Sequence, residues 1–173
     1  MPPPEIAPKQ GSQIVYWVVA LLALGSLTLF FSNVVDERNN PNQRVDTHMT
    51  TDGRAEIVLK QNRSGHYVVT GAINDEAVEF LLDTGATDVS VPASVAKRAG
   101  LSAGEAQWAS TANGRIEVFS TRIARIDIGE LRLRNVAASI NPNIDGDEVL
   151  LGMSALRELH MTQTDGTLTI RTP

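Results

Sequence analysis

Hydrophobic and polar positions divide this chain into three stretches of different texture. Ile14 to Phe31 is an uncharged run of eighteen residues, long enough to be read as a membrane-spanning helix. From Asn33 to about Arg54 the residues are polar with almost no apolar periodicity, which is the composition of a tether. From Ala55 onward, apolar residues recur in short alternating runs broken by turn residues, the signature of an all-β domain.

Within that last stretch, strands are expected at 56–61, 66–73 and 77–83, with Asn62-Arg63-Ser64-Gly65 and Asn74-Asp75-Glu76 as turns. Pro92 to Gly100 reads as a short helix ended by Gly100. Strands then flank Asn113-Gly114, a dipeptide that favours two-residue hairpins because both of its residues tolerate positive φ. Further strands are expected at 115–128, 131–134 and 136–140, followed by a loop over 141–147. Ser154 to His160 reads as a second short helix with Ser154 as N-cap, and the chain closes in a hairpin around Asp165-Gly166. The expected organisation is a proline-rich tail (1–13), a transmembrane anchor (14–32), a linker (33–54) and one all-β domain (55–173). No internal repeat is present.

Composition narrows the function classes. The 173 residues carry a net charge of -5, which argues against a nucleic-acid partner because such proteins show a basic patch or stripe. There is no cysteine, so disulfides, thiol catalysis and cysteine-ligated metals are excluded. His48, His66 and His160 are far apart and lack metal-ligand spacing. Asp145-Gly146-Asp147-Glu148 has calcium-type oxygen ligands but not the remaining spacing of an EF-hand. Gly152-Met153-Ser154-Ala155-Leu156 is not a G-x-S-x-G nucleophile elbow. No metal or cofactor is expected.

The apolar run has two readings. Ala23-Leu24-Gly25 offers a small-x-small cleavage site, so the run could be a signal peptide. Cleavage there would leave Leu27-Thr28-Leu29-Phe30-Phe31 at the new terminus, which favours an uncleaved anchor with Tyr16 and Trp17 near a headgroup region. Lys9 precedes the run while Arg38 and Arg44 follow it, so positive charge does not set the orientation.

The most informative stretch is Val78-Glu79-Phe80-Leu81-Leu82-Asp83-Thr84-Gly85-Ala86-Thr87-Asp88-Val89-Ser90-Val91-Pro92. An apolar strand runs straight into Asp-Thr-Gly, and a second apolar strand follows. Carboxylates are costly to bury, so an aspartate at the edge of a core is either a strand-end residue facing water or a group placed there for chemistry. Gly85 permits a tight turn, and Thr84 adds a hydroxyl able to tie that turn to another backbone. Alone, the tripeptide reads as an ordinary polar turn, and it is the surrounding sequence that points elsewhere.

Leu81-Leu82-Asp83-Thr84-Gly85-Ala86 followed by Val89-Ser90-Val91-Pro92 resembles the active-site strand and loop of retropepsin-like (retroviral-type) aspartic proteases. Glu148-Val149-Leu150-Leu151-Gly152-Met153-Ser154-Ala155-Leu156 resembles that family's later apolar pair and glycine, leading into a short helix. Thr111-Ala112-Asn113-Gly114-Arg115 sits between them, where the family carries its flap hairpin. The resemblance covers roughly residues 55 to 173 and is strongest to small bacterial members with one D-T-G-A and an N-terminal membrane anchor.

What the resemblance implies is a retropepsin-like closed β-barrel, the acid-protease half-fold with one or two short helices, preceded by a single transmembrane helix. It further implies an aspartic endopeptidase at the inner membrane of a bacterium with its protease domain in the periplasm. Asp83 would be the catalytic group, Thr84, Gly85 and Ala86 its active-site loop, and Ala112, Asn113 and Gly114 the tip of a flap closing over a peptide or protein substrate. Leu150-Leu151-Gly152 would support the active-site loop from below. Because the chemistry needs two aspartates and the sequence holds one Asp-Thr-Gly, a homodimer is expected, with Leu168 and Ile170 on a final strand that pairs either across the interface or at an edge within one subunit. Two rivals remain: a catalytically silent binding or dimerisation module on the same fold, and a structural periplasmic β-domain.

Overall fold

The structure, a computed structural model, describes residues 10–111 and 114–173. The chain divides between Glu37 and Arg38 into two units. The first holds most of the helix α1 (Gln10–Asn39), whose apolar side chains from Ile14 to Phe31 are exposed all round. A helix apolar on every face buries none of them in the protein, and this one is long and apolar enough to cross a membrane.

After α1 the order is β1 (Thr47–Met49), β2 (Ala55–Lys60), β3 (Val68–Ile73), β4 (Glu76–Leu82), β5 (Val89–Pro92), α2 (Ala93–Arg98), β6 (Ala106–Thr111), β7 (Gly114–Ile128), β8 (Leu131–Asn141), β9 (Glu148–Leu151), α3 (Met153–Leu156), β10 (His160–Thr164) and β11 (Thr167–Arg171). The larger sheet runs β3-β4-β9-β5-β8-β7-β6, and β3 also pairs with β7. Six strands therefore close into a barrel, which removes two exposed edges, while β6 extends β7 as a hairpin. The smaller sheet is β1-β2-β11-β10. This is the all-β architecture expected from the alternating pattern, closed into the barrel that the resemblance implies.

Alternation explains the packing. Val78 and Phe80 on β4, Ile57 and Leu59 on β2, and Leu168 and Ile170 on β11 all point into one core with Val149, Leu151 and Leu156. Full burial of each such side chain stabilises by about 1.5–3 kcal/mol. Tight turns fall at Asn74-Asp75 and Asp165-Gly166, each with both residues at positive φ. The two strands expected at 131–134 and 136–140 are one strand, β8. Its inward face switches between Leu133 and Val136, because Asn135 adopts φ 56° at the expected break.

Three expectations are revised. β11 is neither an edge strand nor open to a second copy, because β2 and β10 pair with its two sides. Ser154 does not cap α3; Gly152 is the N-cap residue, and Ser154 is buried, 3% exposed, among strands. The segment expected as a tether over 33–54 is structured: α1 continues to Asn39, and residues from Arg38 onward belong to the second compact unit.

The reason lies in two asparagines. Asn40 is 1% exposed, and its Nδ2 donates to Thr70 Oγ1 (2.9 Å) and Glu79 Oε1 (2.8 Å). Asn42 is 4% exposed; its Nδ2 donates to the carbonyls of Lys60 (2.9 Å) and Val68 (2.7 Å), and its Oδ1 accepts from the Lys60 N–H (2.7 Å). A side-chain amide has both donors and an acceptor, so Asn42 bridges the ends of β2 and β3 where no ladder continues. Replacing Asn42 with Ala strips these bonds and leaves the Lys60 N–H and the Val68 carbonyl unpaired. A loss of about 2–4 kcal/mol is expected, read as a lower denaturation midpoint at unchanged m-value, with exposed Gln43→Ala as the near-neutral comparison.

Candidate active site

β4 and β9 run parallel in register, Phe80 beside Val149, Leu81 beside Leu150 and Leu82 beside Leu151. Two apolar strands thus end at the same level, and the next residues are Asp83 on one and Gly152 on the other. The Asp83 N–H donates to the Leu151 carbonyl at 3.1 Å, extending the ladder by one rung before the chain turns. The Ala86 N–H then donates to the Asp83 carbonyl (3.2 Å), and the Gly85 N–H donates to Asp83 Oδ1 (2.8 Å). The second is an Asx-type turn, in which the carboxylate organises the loop that follows it. A carboxylate offers about four lone-pair sites, so this bond leaves capacity for a reacting partner. Asp83 is half-buried, Thr84 and Gly85 are exposed, and Ala86 is half-buried.

The loop is clamped from beneath. The Met153 N–H donates to the Ala86 carbonyl (2.8 Å) and the Ser154 N–H to the Thr87 carbonyl (2.9 Å). Ser154 Oγ accepts from the Val89 N–H (3.0 Å) and donates to the Ala137 carbonyl (2.7 Å), joining the loop to β8. Gly152 is what lets these segments meet. A Cβ there would lie 2.2 Å from the Asp88 carbonyl oxygen and 2.8 Å from that of Ala86. Its φ of -87° suits any residue, so space and not conformation demands glycine. Leu151 and Gly152 therefore hold the Asp83 loop by backbone contact.

Charge near the site is acidic. Glu79 and Glu148 are register partners on β4 and β9, and partial desolvation, followed by the like charge of Glu79, raises the Glu148 carboxyl above its ordinary range. Asp147 lies below its ordinary range because Arg98 and Ser94 donate to it from α2. The Asp145–Glu148 loop is thus tied to α2 through Asp147.

The hairpin expected as a flap is formed by β6 and β7, paired from Ala106 opposite Phe119 to Thr111 opposite Gly114. Thr111 Oγ1 donates to the Gly114 carbonyl at 2.8 Å. Ala112 and Asn113, two of the three expected tip residues, lie outside the described residues; Gly114 opens β7 at φ 114°. On the same hairpin Trp108 is 65% exposed with the Arg115 guanidinium 5.5 Å above its ring. Sequence reasoning passed over this pair, which only the hairpin register makes visible. It also missed Ser154 and Ala137 as supports of the loop.

The family model described as gag-polyprotein putative aspartyl protease matches residues 69–158, a span holding Asp83, the hairpin and Gly152. An uncharacterized protein from the cobV 5′ region of a Sinorhizobium species is 29% identical over 160 residues, covering 87% of this chain and 68% of its own length. Uncharacterized protein RP867 of Rickettsia prowazekii (strain Madrid E) is 26% identical over 119 residues, 66% of this chain and 50% of its own length. Among solved structures, a retropepsin-like aspartic protease from Rickettsia conorii matches with a TM-score of 0.55 at 23% identity, over 75% of this chain and 95% of that one. That likeness shows the fold.

Proposed function

Since the chain belongs to the gag-polyprotein aspartyl protease family, we propose that it is an endopeptidase whose catalytic pair is Asp83 and Asp83 of the partner subunit in a homodimer. The observation that carries this reading is the fixed Asp83 loop, which a passive strand-end turn does not need. Its carboxylate sits on a turn held by Leu151, Met153 and Ser154, with Gly152 keeping the approach close. A two-fold axis beside that loop would bring two identical carboxylates together.

Two carboxylates about 3 Å apart share one proton, as in the aspartic-protease dyads from which this rule is drawn. The ionised member takes a proton from a bound water, whose oxygen attacks the scissile carbonyl carbon. The protonated member gives its proton to the carbonyl oxygen. Collapse of the resulting diol returns a proton to the departing amide nitrogen as the C–N bond breaks. Thr84 would hydrogen-bond across the axis and hold the two loops rigid. The hairpin of β6 and β7, with Ala112, Asn113 and Gly114 at its tip, would close over an extended peptide and exclude water.

The exposed apolar run of α1 supports a membrane anchor at 14–32, and the family resemblance supports a periplasmic domain. The dimer is tested by dilution of residues 38–173. Peptide-cleaving activity should rise faster than linearly with protein concentration at the dilute end, because each chain supplies half a site. Linear activity from a species of monomeric mass would contradict the shared dyad.

A further inference from the structure

We propose that the active site is confined to a thin layer next to the membrane, so that its substrates are polypeptide segments exposed close to the bilayer. The proposal rests on the protease and anchor readings above and adds a limit on reach. The apolar run ends at Phe31, and Asn40 is already locked inside the folded domain by its bonds to Thr70 and Glu79. Asn42 follows as a second lock on Lys60 and Val68, and Asn62 Nδ2 donates to the Asn39 carbonyl (3.1 Å). No free residue follows the helix, since α1 ends at Asn39.

Chain length then sets the bound, whatever angle the helix takes. The nine steps from Phe31 to Asn40 span about 30 Å even when fully extended. Glu79, which holds Asn40, lies on β4 four residues before Asp83, about 13 Å along a strand. Asp83 therefore stays within about 50 Å of the end of the apolar run. A free tether through Arg54 would by itself have added a reach of about 75 Å. Glu79, the partner of Asn40, lies on the strand that leads directly into Asp83, so the limit applies to the carboxylate itself.

The test uses the full chain in lipid vesicles with its domain outside, at high dilution of vesicles. A peptide shown to be cut in solution is placed on a single-span reporter in the same vesicles. In one reporter it lies within about ten residues of the bilayer, and in the other at the tip of a stiff helical stalk of about 100 Å. The near site should be cut at least about tenfold faster. A flexible Gly/Ser insertion of about 60 residues between Glu37 and Arg38 should restore cutting of the far site while leaving the free peptide unaffected. Equal cutting of both reporters by the unmodified chain would overturn the reach limit while leaving the protease reading in place. A chain that leaves the free peptide intact would overturn the protease reading, and this proposal with it.

Discussion

Asp83→Asn is expected to lower peptide cleavage by at least several hundredfold while leaving the fold nearly untouched, in keeping with the size of acid-base effects. The substitution exchanges one carboxylate oxygen for an amide nitrogen of almost the same size. The remaining amide oxygen still accepts the Gly85 N–H, and the Asp83 main-chain bonds to Leu151 and Ala86 do not involve the side chain. What disappears is the proton that the pair shares, and with it both the base that activates water and the acid that protonates the carbonyl. Denaturation midpoints and dimer mass should therefore stay close to wild type while kcat falls. Asp88→Asn and Asp145→Asn test specificity and should keep most activity. Cleavage by Asp83→Asn at the wild-type rate would end the protease reading and leave a binding module on this fold in its place.

What could be read from the sequence was what is local. The run from Val78 to Pro92 announces strand, turn and strand because alternation and the Asp-Thr-Gly turn act over a few residues. Asn74-Asp75-Glu76 was legible as a turn, and Asp165-Gly166 as a hairpin, for the same reason. The errors came where a polar residue serves a distant partner. Ser154 stands two residues into a helical pattern and reads as a cap, but its hydroxyl bonds residues 65 and 17 positions away. Asn40 and Asn42 sit in a segment whose polarity signals a tether, yet their partners lie on three strands, at separations of 18 to 39 residues. Composition treats an asparagine as solvated, and only the closed barrel shows that it fills the gap between two strand ends. The β11 pairing failed in a related way, since a C-terminal apolar strand looks the same whether one side or both are taken.

Gly152→Ala is the substitution expected to damage both stability and catalysis without touching a reacting group. Its new methyl would lie 2.2 Å from the Asp88 carbonyl oxygen, 2.7 Å from the Asp88 carbonyl carbon and 2.8 Å from the Ala86 carbonyl oxygen. All three are backbone atoms, so no side chain can swing aside. Either the loop of residues 86–88 lifts or β9 and α3 retreat, and both movements stretch the bonds from the Met153 and Ser154 N–H groups to the loop. Leu151 and Ala155 on either side are fully buried, which blocks the retreat and directs the strain into the Asp83 loop. A stability loss of about 3 kcal/mol is expected, the combined scale of overpacking and two strained buried hydrogen bonds. A displacement of about 1 Å at the carboxylate is worth about a hundredfold in rate, so kcat/KM should fall by that order even where the protein remains folded. Chemical denaturation and peptide kinetics on residues 38–173 separate the two effects, with the exposed neighbour Glu158→Ala as the reference for an ordinary change in this segment. Wild-type kinetics in a destabilised Gly152→Ala protein would mean that the clamp supports the barrel alone, and that Asp83 takes its position from the second subunit.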